Sequence, residues 1–175
     1  MCPSFHGRGP SRCPGCYGPD FTTKHPSCSV ITCCVKKKHL EVCALCAEFP
    51  CEKFAQRLDS PVDSFLTYKK IRHNLTFIKE DGLPMFLEQQ KQRMTLLERM
   101  LSRFNEGRSK STYCIAATLL PLEKLAAALT EGETQAKNEG VNPANVKERA
   151  QILRDILSAV ALKEGIELKL RKGKK

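Results

Sequence analysis

From Ser60 onward the apolar residues recur at three- and four-residue intervals, the spacing that gathers them on one face of an α-helix. Phe65, Tyr68, Ile71, Leu75 and Ile78 form the first such stripe, opened by Ser60-Pro61 with Asp63 and stopped by Gly82. A second stripe starts near Pro84, carries Phe86, Leu87, Met94, Leu97, Leu101 and Phe104, and ends at Asn105 to Gly107. Only Asp81 and Gly82 separate the two, so the pattern predicts an antiparallel helical hairpin. A shorter helix from about Ser111 to Leu120 follows, divided by Pro121 from one that carries Leu122, Leu125, Ala126 and Leu129 and continues to about Asn138. Glu139 to Asn142 with Pro143 reads as a loop, and Asn142-Pro143 as the start of a last helix, with Val146, Ala150, Leu153, Leu157 and Val160 on its stripe and Gly165 at its end. Beyond it Ile166, Leu168 and Leu170 alternate with Glu167, Lys169 and Arg171, the period of a short strand before a basic tail.

The front of the chain shows neither period. Met1 to Asp20 is rich in Gly and Pro, which favours turns over regular elements, and C-P-G-C at Cys13 to Cys16 is itself a tight turn. Val30, Ile31 and Val35 fit a short strand or a helical turn equally well, and Pro50 suits the first turn of a short helix through Lys53, Phe54 and Arg57 to Leu58. The reading is therefore a mainly α protein: an irregular cysteine-rich zinc-binding module over residues 1–58, packed on a helical domain over 59–175 that ends in a short strand and a basic tail. A segment so poor in apolar side chains cannot fold by burial alone and needs disulfides or a structural metal.

Compartment decides between those two. No basic, apolar and small-residue succession of a secretory signal follows Met1, and the longest apolar run, Cys114 to Leu122, is broken by Thr118 and Pro121 and too short to span a bilayer. The expectation is a cytoplasmic protein with no membrane partner, in which cysteines ligate metal rather than pair. Eight of the ten cysteines fall between Cys13 and Cys51. Zinc takes four ligands in a tetrahedron, and a C-x2-C turn presents two sulfurs at the right separation. The chain offers Cys13 with Cys16, His25 with Cys28, Cys33 or Cys34, Cys43 with Cys46, and Cys51, which makes eight ligands for two zinc ions. The preferred partition places Cys13, Cys16, His25 and Cys28 on one ion and Cys33 or Cys34, Cys43, Cys46 and Cys51 on the other. Spacing equally allows an interleaved arrangement, or an all-sulfur one of Cys13, Cys16, Cys28 and Cys33 against Cys34, Cys43, Cys46 and Cys51. An iron–sulfur cluster is the alternative cofactor, although the C-x2-C-x2-C run of bacterial ferredoxins is missing.

The formal net charge of +10 points towards an acidic partner, a protein surface or nucleic acid. Seven thiolates and two divalent ions reduce it to about +7. Lys36, Lys37 and Lys38 read either as contacts to phosphate or as exposed cations favourable beside anionic sulfur. Gly107-Arg108-Ser109-Lys110-Ser111 lacks the G-x4-G-K-[ST] spacing, yet a helix start just after it aims backbone N–H groups, Arg108 and Lys110 at a weak anion site; the plainer reading is a capped helix with solvated basic residues. Cys114, on an apolar helical face, reads as a buried inert thiol. A catalytic zinc needs an open position and a general base, and neither is visible, so the function expected is non-enzymatic: a zinc-stabilised binding or adaptor module, or alternatively a redox or metal-relay protein of anaerobic metabolism.

The C-x-G-C at Cys13 to Cys16, the C-x2-I-T-C at Cys28 to Cys33 and above all C-A-x-C-A-E-F-P-C-E-K-F from Cys43 to Phe54 resemble a prokaryotic cysteine-rich family, frequent in anaerobes and methanogens, known as domain of unknown function 3795. The resemblance continues through N-L-x-F-I-K-E-x-G-L at Asn74 to Leu83 and G-R-S-K-S-x-Y-C at Gly107 to Cys114. It implies metal binding and supplies no activity. Members carry C-x2-C where His25 to Cys28 stands, which implies His25 as a substitute ligand. They also carry a further cysteine motif upstream, of which Cys2 alone remains here.

Overall fold

The structure, a computed structural model, describes residues 1–10, 12–15, 18–19, 28–53, 62–63 and 66–171. Among the described residues all regular structure is helical. The mainly α class predicted from periodicity holds. A single turn, α1 (Ser29–Ile31), runs into a π-helical segment (Thr32–Lys37), and 3-10 turns cover Cys43–Leu45 and Leu66–Lys70. The longer helices are α2 (Ile71–Asp81), α3 (Leu83–Arg103), α4 (Lys110–Leu119), α5 (Leu122–Asn138) and α6 (Val146–Lys163). Glu52 and Lys53 are helical, and the rest of the short helix expected to Leu58 lies outside the described residues.

Contacts divide the chain into two compact units, Ser4–Leu87 with Arg171–Lys175, and Met1–Pro3 with Glu88–Leu170. α2 and residues 83–87 of α3 belong to one unit, and residues 88–103 of α3 to the other.

In the unit from Glu88 to Leu170, α5 and α6 pack along their length and α4 packs on both. Every residue from Tyr113 to Leu120 is buried, the signature of a helix enclosed on all sides. α3 closes the core with Leu97, Met100 and Phe104. Gly132 of α5 lets Leu153 of α6 approach, since a Cβ there would lie 3.1 Å from Leu153 Cδ1. Both helices end in the same way. Gly140 and Gly165 take positive φ, and the following N–H reaches back to Ala136 O and Ala161 O respectively, which satisfies carbonyls the helix leaves open. α6 begins at Val146 rather than at Pro143 because Asn142 Oδ1 accepts the Ala144 N–H in a turn of its own, leaving Asn145 to accept from Glu148 N as the N-cap.

The C-terminal end of α4 meets a buried cation. Arg93, 5% exposed, donates from Nη1 to the carbonyls of Ala117 (2.9 Å) and Leu120 (2.7 Å) and from Nε to Gln89 Oε1 (3.3 Å). Those carbonyls have no intrahelical donor, and the negative end of the helix dipole favours a positive group. At the other end Tyr113 donates from its hydroxyl to Phe104 O (2.9 Å), which ties α4 to the end of α3.

In the unit from Ser4 to Leu87, α2 turns Leu75 and Ile78 onto Ala44, and Val30, Val42, Phe49, Ile71, Leu83 and Phe86 pack around them. This cluster draws residues from both sides of the 58/59 composition boundary. Asp63 donates its N–H to Arg171 O (2.9 Å) and its carboxylate accepts from Arg171 N (2.8 Å), from the Arg171 guanidinium and from Lys69 (3.1 Å). The short strand expected over Ile166 to Arg171 is therefore corrected. A single residue pairs there, and the second hydrogen bond goes to a side chain, so no ladder is laid down among the described residues.

Two outcomes follow from these contacts. Arg93→Met leaves two buried carbonyls without donors, and a loss of about 2–4 kcal/mol in urea unfolding is expected, with Arg93→Lys recovering part of it. Burial raises the Asp63 pKa, but hydrogen bonds from Arg171 and Lys69 outweigh it and bring the group from 3.8 to about 2. Its contribution, about 1–2 kcal/mol after solvent screening, is present above about pH 4 and lost as pH falls through about 2. Asp63→Asn, which lacks that contribution, is expected to lose less stability than wild type over that interval in urea titrations.

Candidate metal centre

The helical turn after Cys28 aims the first pair of sulfurs. Cys28 is the N-cap of α1, its carbonyl accepting the Thr32 N–H at 2.9 Å. Cys33 and Cys34 then fall in the π-helical segment, where Lys38 N–H reaches Cys33 O (3.0 Å). A π turn is wider than an α turn, so adjacent side chains diverge less in direction. His39 at φ 51 reverses the chain, and Leu40 N–H closes the turn on Cys34 O (2.9 Å).

The C-x2-C segment supplies the facing pair. Leu45 N–H bonds to Val42 O, Cys46 N–H to Cys43 O and Phe49 N–H to Cys46 O, a succession of tight turns that carries Cys43, Cys46 and the approach to Cys51. Ala44 is pressed against α2 while Leu45 faces solvent. A cavity of about 520 Å³ is lined by Cys33, Cys34, Cys43, Cys46 and Cys51 together with Lys38 and Glu48. These five cysteines are thiols rather than disulfides. Cys13 and Cys28 are not among the lining residues, and Cys16 and His25 lie outside the described residues. Cys13 is held by its N–H on Ser4 O (3.0 Å), in a loop where Arg12 stacks 5.2 Å from the Phe5 ring.

Within the cavity the sulfurs face one another and their neighbours. Burial, then a hydrogen bond to Cys34 and the proximity of Cys34, Cys51 and Cys33, push the Cys43 thiol up to about 12. Cys34 Sγ donates to Leu40 O at 3.3 Å. Lys38 donates from Nζ to Cys46 Sγ (3.5 Å) and to Glu48 Oε1 (2.5 Å). Among the described residues no three His, Cys, Asp or Glu side chains already converge to hold a metal ion. The donor set fits a thiophilic metal in kind and number, and tetrahedral ligation requires the thiol-to-thiol contacts of Cys43 to give way to sulfur–metal bonds.

Residues 7–56 match the model of a family described as a protein of unknown function (DUF3795). No curated protein and no solved structure matches the chain. The matched residues contain all nine proposed ligands from Cys13 to Cys51 and stop before Asn74–Leu83 and Gly107–Cys114, so the resemblance at those two stretches lies outside the match.

The other singled-out residues fall elsewhere. Arg108 is exposed, and at the start of α4 Ser109 Oγ donates to Glu106 Oε1 (2.9 Å), which also accepts from Arg154 (2.9 Å). Glu106 thus brings negative charge to that helix start from within the chain. Lys36 and Lys37 are exposed and Lys38 is turned to Cys46. Glu48 was not singled out by sequence reasoning; its place between Cys46 and Cys51 was the available signal. Cys114 is fully buried, and burial pushes its thiol up to about 11. In reduced, metal-free protein at pH 8, Cys43 and Cys114 are therefore expected to be alkylated by iodoacetamide more slowly than the other described cysteines, read by peptide mass spectrometry.

Proposed function

We propose that this protein is a metal-binding module of the prokaryotic cytoplasm, folded around two structural zinc ions and serving as a binding or adaptor protein rather than an enzyme. The observation that carries the reading is the gathering of Cys33, Cys34, Cys43, Cys46 and Cys51 around one cavity. It supports a second centre made of Cys43, Cys46, Cys51 and one of the adjacent pair Cys33 and Cys34, in preference to a partition that sends Cys33 and Cys34 to different ions. Cys13, Cys16, His25 and Cys28 remain for the first centre. Four protein ligands close the coordination sphere of zinc, which makes such a centre a source of folding energy, about 10–16 kcal/mol of apparent binding free energy in small zinc modules. The chain's basic charge suits a partner that is an acidic protein surface or a nucleic acid.

The same all-cysteine lining favours one second reading, an iron–sulfur cluster in a redox or metal-relay protein of anaerobic metabolism. Anaerobic purification followed by elemental analysis and a visible spectrum separates the two. Two zinc ions per chain and no visible absorption are expected. Brown protein containing iron and acid-labile sulfide supports the second reading, and protein that takes up neither metal overturns both.

A further inference from the structure

Lys38 and Glu48 line the thiol cavity beside its five cysteines. Lys38 ends the segment that carries Cys33 and Cys34, while Glu48 follows the turn that carries Cys43 and Cys46. Their ion pair therefore ties together the two cysteine-bearing stretches, and the same ammonium group reaches Cys46 Sγ at 3.5 Å. The neighbouring Lys36 and Lys37 are exposed. Lys38 keeps 32% of its side-chain surface exposed and Glu48 keeps 71%, so the acid is the outer member of the pair and the base the inner one.

We propose that Lys38 is a positioning residue of the second metal centre, donating to the sulfur of Cys46 and steered there by Glu48. The inference rests on the zinc reading above. Four thiolates on a divalent ion carry two excess negative charges, and a cation hydrogen-bonded to one sulfur offsets part of that charge and fixes the direction in which the sulfur points. Cys46 is half-buried and takes the Lys38 contact, whereas Cys34 donates to a carbonyl and is buried. Lys38 thus shields the Cys46 sulfur from an incoming chelator or alkylating reagent. A second property follows from the chemistry of the donor. An ammonium and a guanidinium both donate and carry charge, so Arg at this position retains the function and an uncharged side chain of similar length does not.

The test uses the full chain loaded with zinc, in wild-type, Lys38→Met, Lys38→Arg and Glu48→Gln forms. Zinc content is measured first, then the rate of zinc transfer to 4-(2-pyridylazo)resorcinol, then the order in which cysteines are alkylated as zinc leaves. Lys38→Met is expected to keep its zinc at equilibrium with excess metal, to release it about 10–100-fold faster, and to show Cys46 alkylated first. Lys38→Arg is expected within about threefold of wild type, and Glu48→Gln between the two. Release from Lys38→Met at the wild-type rate, or equal acceleration in Lys38→Met and Lys38→Arg, overturns the role of Lys38 while leaving the zinc reading intact. Wild-type protein that holds no zinc overturns both.

Discussion

Between Glu41 and Pro50 the chain buries a single residue, Ala44, and it lies against Leu75 and Ile78 of α2. That contact fixes the direction of everything around it. In C-A-L-C the second residue faces the helix and the third faces solvent, so Cys43 and Cys46 are left on the side where Cys33, Cys34 and Cys51 gather. The position suits a small side chain because α2 stands directly behind it. The cysteine-rich stretch consequently borrows its apolar base from a helix that lies outside the matched family region, and the metal chemistry proposed for it needs α2 as much as it needs the cysteines.

What the sequence made legible depended on whether the signal was local. Gly140 and Gly165 mark helix ends because a positive φ is needed there whatever the surroundings, and both ends fall where the pattern put them. Asn145 as the N-cap of α6 was blurred by Asn142 three residues earlier, since both side chains accept backbone hydrogen bonds and only the geometry tells a turn from a cap. The alternation at Ile166 to Leu170 was a true periodicity with no strand beside it among the described residues. Cysteine spacing singled out the five sulfurs that line the cavity, because C-x2-C and the adjacent pair are local features, together with Cys13 and Cys28, which do not line it. It left open the roles of Lys38 and Glu48, ten residues apart, because charged side chains at that spacing are ordinary on any surface.

Arg93 shows the same limit from the other direction. It sits on α3 among Gln89, Gln90 and Gln92, a polar stretch that reads as solvated, and yet it is buried beneath the last turn of α4. No periodicity announces it, since its partners are carbonyl groups with no residue identity. The unit it belongs to is held by apolar packing of α4, α5 and α6, with Arg93 and Tyr113 hydrogen-bonded to main-chain carbonyls inside it. The unit with the cysteines is held differently: its apolar cluster is small, and its thiols contact one another, a carbonyl and an ammonium group.

That contrast bears on the positive charge. Lys36 and Lys37 end the π-helical segment, where unpaired carbonyls already favour cations, and Lys38 joins them on the sulfur of Cys46. Elsewhere Arg99 and Arg103 share Glu133, Arg154 is on Glu106, and Lys69 and Arg171 converge on Asp63. Several basic groups therefore have partners inside the chain, at a helix end, at carboxylates and beside a thiol, although the carboxylate pairs are already subtracted in the formal +10. The exposed pair Lys36 and Lys37 is left without a carboxylate partner among the described residues and keeps its charge at the surface of this unit.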